Sequence, residues 1–120
     1  MEAINLEVNL LEETLATLIE NGKEESDVEW VGSVNYGYAT WDEFKDVANI
    51  YYDAGYGSPK VAQDLLVVGA DWWLERHEYD GAEWWEFKQL PQKPERKIEL
   101  KNVAGGMWNN LEELNSREVK

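Results

Sequence analysis

Residues 71–87, DWWLERHEYDGAEWWEF, gather the side chains best equipped for chemistry: four of the seven tryptophans, the only histidine and six of the twenty-five acidic residues. Glu86 and Lys88 stand at Glu-x-Lys spacing, and Asp71 lies fifteen residues before Glu86. Two carboxylates holding Mg²⁺ beside a lysine that assists an attacking water would cut a phosphodiester. His77 near Glu75 and Glu86 suggests a second chemistry, a divalent-metal site. A lone histidine without cysteine is a poor transition-metal ligand set, and the chain has no cysteine. The third chemistry is non-covalent, with indoles beside carboxylates making a recognition surface.

The first chemistry is weakly supported. The proline of the PD-(D/E)xK nuclease motif does not precede Asp71, and an acid-rich chain produces Glu-x-Lys by chance. No serine elbow, P-loop or dinucleotide fingerprint is present, and GYGSP and AGG read as glycine turns. Net charge is −14, of which residues 1–30 carry −8. Nucleic-acid binders need the opposite sign to neutralise phosphates, so direct binding of DNA or RNA is not expected. The expectation is a chain that is not an enzyme and has no metal or cofactor.

Asp80-Gly81 is the element that must position these side chains. Both residues tolerate positive φ, so 72–79 and 82–89 are expected to form a two-residue-turn hairpin. Its register pairs Tyr79 with Ala82, His77 with Trp84, Arg76 with Trp85, Glu75 with Glu86 and Leu74 with Phe87. Alternation then places Trp72, Leu74, Arg76, Glu78, Glu83, Trp85 and Phe87 on one face. Trp73, Glu75, His77, Tyr79, Trp84 and Glu86 share the other, with Ala82 and Lys88. The first face is the better core, with Arg76 over the edge of Trp85. The second is the candidate partner-binding set.

At 120 residues the chain is expected to be a single domain, 1–120. Asn9 with Glu12, and Thr40 with Glu43, have capping-box spacing and predict helices over about 9–21 and 41–54. Leu11, Leu15, Leu18 and Ile19 make the apolar stripe of the first. Trp41, Phe44, Ala48 and Tyr51 make that of the second. Strands are expected over 28–34, 65–68 and 96–103 besides the hairpin, with NYGYA as a turn. A short C-terminal helix over 107–115 turns Met107, Leu111 and Leu114 inward. The fold class is α+β: a mostly antiparallel sheet of four to five strands around the 72–79/82–89 hairpin, with both longer helices on one face. No apolar run approaches the roughly 18 residues that span a bilayer, and the N-terminus lacks a signal-peptide pattern, so a cytoplasmic setting is expected.

The block LLVVGADWWLERHEYDGAEWWEFKQLPQKP, a quarter of the chain, resembles small uncharacterised accessory proteins of Gram-positive phages and prophages. The resemblance carries over no catalytic residue. It implies host cytoplasm and an accessory role such as an anti-CRISPR or anti-restriction inhibitor of a host nuclease. The partner is then a protein with a basic surface, steered by the acidic one. Nucleic-acid mimicry would draw on Glu12, Glu13, Glu20, Asp42, Glu43, Asp46, Glu78 and Glu83 as an acidic surface, with Glu75 and Glu86 of the hairpin beside them. A structural or assembly protein of a phage particle and an immunity protein against a toxin are the alternatives, with the nuclease last.

Overall fold

The structure, a computed structural model of the chain, describes residues 7–55 and 57–116. It contains two compact units, Met1–Leu90 and Pro91–Lys120.

In chain order the first unit runs β1 (Glu7–Asn9), α1 (Leu10–Glu20), a 3₁₀ turn (Glu25–Asp27), β2 (Trp30–Ser33), β3 (Gly37–Ala39), α2 (Trp41–Ala48), β4 (Tyr51–Asp53), β5 (Leu66–Val68), β6 (Trp72–Tyr79) and β7 (Ala82–Gln89). Five strands form one antiparallel sheet in the order β3-β2-β5-β6-β7, and β1 pairs antiparallel with β4 in a second sheet. The architecture is the expected α+β mix. Asp80 and Gly81 have φ of 53° and 91°, the left-handed values a tight hairpin turn needs. The β6–β7 register matches the one read from the sequence, from Tyr79 opposite Ala82 to Leu74 opposite Phe87.

Val31, Val67, Leu74 and Phe87 line up across four strands on the sheet's inner face. Trp72 and Trp85 flank that row, and Leu10 and Leu18 of α1 and Phe44 and Ala48 of α2 pack in the same core. Each fully buried aliphatic side chain there contributes about 1.5–3 kcal/mol. Both helices start as their caps dictate: Asn9 Oδ1 accepts the Glu12 amide at 2.9 Å, and Thr40 and Glu43 form a reciprocal capping box.

Two local expectations change. The inward stripe of α1 is Leu10, Thr14 and Leu18, while Ile19 is exposed. The buried Trp85 indole needs an acceptor and finds the Thr14 hydroxyl at 2.8 Å; that hydroxyl in turn donates to Leu10 O at 2.7 Å. The second helix ends at Ala48 rather than near 54, capped at Asn49. β-branched Ile50 and the two tyrosines after it favour extended backbone, and Tyr51–Asp53 pairs with Glu7–Asn9. Tyr52 is therefore the buried tyrosine and Tyr51 the exposed one. NYGYA also contains a strand, β3, as well as a turn.

In the second unit, residues 91–110 contain no helix or strand, and α3 (Leu111–Asn115) begins at the Asn110 cap. The strand expected over 96–103 is absent. The amides of Lys101 and Asn102 go instead to Asn115 Oδ1, both at 2.8 Å. The C-terminal helix is shorter than 107–115, and Met107 and Leu111 are exposed rather than inward.

Candidate functional site

The helices of the first unit cover one side of the five-stranded sheet. The opposite side is set by strand alternation. One cross-strand row runs Trp30, Val68, Trp73, Lys88, and the next runs Tyr38, Gly32, Leu66, Glu75, Glu86. Beyond them His77 faces Trp84 and Tyr79 faces Ala82. An open antiparallel face normally shows polar side chains to water. Here β2 and β5 show Trp30, Leu66 and Val68, continued by Trp73 at the near edge of β6, all partly exposed, and the rest of the β6–β7 half shows charge.

The charged half is ordered by two matching clamps. Trp73 Nε1 donates to Glu75 Oε1 at 2.7 Å, and His77 Nε2 lies 2.7 Å from Glu75 Oε2. On the neighbouring strand Trp84 Nε1 donates to Glu86 Oε2 at 2.9 Å, and Lys88 Nζ is 3.8 Å from Glu86 Oε1. Trp-x-Glu spacing builds both clamps, because residues two apart in a strand share a face. Glu75 and Glu86 stand directly opposite each other, a placement that like charges disfavour. The hydrogen bonds offset that repulsion. The His77 ring, then the Trp73 indole, hold the Glu75 carboxyl below the usual carboxylate range. The Trp84 indole does the same for Glu86. Both stay ionised at neutral pH. An indole–carboxylate–cation set also joins Trp41, Glu25 and Lys45, where it ties the 3₁₀ turn to α2. What distinguishes the outer pair is its place on an open sheet.

Under the ribbon, on the core side, lies a second polar cluster. The Arg76 guanidinium is packed 4.7 Å from the Trp85 ring centre and 5.7 Å from that of Tyr52. It pairs with Glu83 at 3.0 Å and Glu13 at 3.4 Å, and donates to the Tyr52 hydroxyl at 3.0 Å. The Tyr52 hydroxyl donates to Glu13 at 2.6 Å. Glu83 also accepts the backbone amides of Lys60 and Val61, at 2.6 and 3.2 Å, and so fastens the loop before β5. Burial, then the bond to Glu13, pushes the Tyr52 phenol up to about 12. A phenol raised above its ordinary value of about 10 favours the fold while protonated. That contribution is complete below about pH 10 and is lost as pH rises through about 12. Urea unfolding at pH 9 and 12 should show a larger alkaline loss for the natural chain than for Tyr52→Phe; equal losses would refute this.

Trp73, Glu75, His77, Tyr79, Trp84 and Glu86 all lie on the outer face, as the alternation required. Tyr79 is 76% and Trp84 36% exposed, while Trp72 and Trp85 are sealed in the core. One member of the acidic-surface set is corrected: Glu83 is buried, 5% exposed, because Arg76 and two amides draw it in. Glu13 is half-drawn into the same cluster, and Glu12, Glu20, Asp42, Glu43, Asp46 and Glu78 are exposed. Trp30, Tyr38, Leu66 and Val68 complete the outer face and were missed from the sequence. Read alone, LLVV resembles a strand buried on both sides, and only the topology shows one side open. Among the described residues no three His, Asp or Glu side chains group to hold a metal ion. No helix among them is long and apolar enough to cross a membrane. Comparison with protein-family models, curated proteins and solved structures finds no match.

Proposed function

We propose that the chain is a non-enzymatic binding protein, carried by a phage or mobile element, that blocks a basic surface of a protein partner of the host-nuclease kind. The carrying observation is the outer sheet face, where an apolar Trp30–Val68–Trp73 row adjoins two indole-held carboxylates. Such a face has the make-up of a protein interface: aromatic anchors at the centre and charges at the rim. The net charge of −14 steers a basic partner toward it. Mimicry of nucleic acid by one continuous carboxylate array is not part of the proposal. Glu12, Glu20, Asp42, Glu43 and Asp46 sit on the helices, on the far side of the sheet from Glu75 and Glu86.

Affinity capture from bacterial lysate at low salt and at about 0.5 M salt, where screening acts over a few ångströms, tests this. The expected result is a partner retained at low salt, released at high salt and lost with Glu75→Gln/Glu86→Gln. Capture indifferent both to salt and to the double substitution would overturn the proposal and favour an apolar assembly contact of a structural particle protein.

A further inference from the structure

The β2–β3 hairpin holds a feature that a blocking role does not require. Gly32 follows Trp30 on the outer face and stands opposite Tyr38. A Cβ at Gly32 would lie 2.1 Å from Gly37 O, so only glycine lets the two strands close there. The result is a groove of about 570 Å³ lined by Glu29, Trp30, Ser33, Val34, Gly37 and Tyr38. Trp30 and Tyr38 give it aromatic walls, Gly37 adds a stretch without a side chain, and Glu29 is its one carboxylate. Extended proline-containing segments dock in aromatic-lined grooves of this kind.

The second unit supplies a segment of matching chemistry. Residues 91–97 read PQKPERK. The two prolines fix their own φ, and Leu90 and Lys93, each preceding a proline, are pushed toward the same extended region. In a polyproline helix of three residues per turn, Pro91, Pro94 and Lys97 fall on one edge, and Lys93 and Arg96 on another. These five residues are exposed and outside any helix or strand. Residues 91–120 carry a net charge of +1, against −15 for residues 1–90.

We propose that residues 91–97 of one copy dock in the Trp30–Tyr38 groove of a second copy, with Arg96 or Lys97 toward Glu29. The contact joins unlike surfaces, and a reciprocal dimer makes it twice. It stands independently of the proposed blocking function. Sedimentation equilibrium of the full chain, covering Kd values from about 10 μM to 1 mM, tests it. Tyr38→Ala and Pro91→Ala/Pro94→Ala change exposed residues, so both variants should fold. Each is expected to weaken association about tenfold or more. An equimolar mixture of the two should associate more tightly than either alone, because mixed pairs keep one intact contact. A natural chain that stays monomeric throughout, variants that associate like it, or a mixture no tighter than its components would each overturn the proposal.

Discussion

Glu83→Ala is expected to lower the unfolding free energy by about 3–5 kcal/mol, the usual effect of leaving a buried charge without its partner. The side chains of Arg76 and Glu83 are both fully buried, and Glu13, the other carboxylate of the cluster, stays partly solvated. Removing Glu83 also takes away the carboxylate that accepts from the Lys60 and Val61 amides, loosening the loop before β5. Urea denaturation at neutral pH gives the measurement. The matched control is Arg76→Met/Glu83→Gln, which removes both charges and keeps an acceptor oxygen for one of the two amides. It should recover most of the loss, since a buried ion pair exchanged for well-packed neutral groups is often close to neutral. A double variant as unstable as Glu83→Ala would mean that packing around the guanidinium, not charge balance, dominates there.

The second large effect concerns binding. Trp73→Ala/Trp84→Ala should weaken capture of the proposed partner about 30-fold or more, the loss of roughly 2 kcal/mol typical of an aromatic anchor. Trp84 sits at the surface, so Trp84→Ala alone should leave the thermal midpoint within a few degrees. Trp84→Phe separates two contributions. It keeps a ring for contact but withdraws the N–H that holds Glu86, so its loss should be smaller than that of Trp84→Ala. Undiminished capture by the double alanine variant would move the contact away from the outer face.

The hairpin was the most legible part of the chain, for a physical reason. A two-residue turn dictates register, and period-two alternation then assigns every side chain to a face. Asp80-Gly81 therefore placed all six residues of the candidate site. Capping was equally readable at Asn9 and Thr40, because cap chemistry is local. What failed was decided at a distance. Thr14 turns inward because of Trp85, seventy-one positions away, and Tyr51–Asp53 is a strand because Glu7–Asn9 is its partner. The segment 96–103 shows the converse: its Ile98 and Leu100 alternate like a strand, but alternation without a partner edge leaves its amides to side-chain acceptors. Burial of Glu83 belongs to the same class, since nothing near it in sequence announces the amides of 60 and 61.

Arg76 and Glu83 lie seven positions apart on a single ribbon. Closing so short a loop is entropically cheap and fast, so this pair can meet as soon as the turn forms. Arginine's principal counter-ion thus arrives with it as the chain emerges from the ribosome, whereas Glu13 and Tyr52 must be recruited from segments made earlier. The least hydrophobic part of the interior can in this way be assembled first, and the collapse that follows closes around a charge already neutralised.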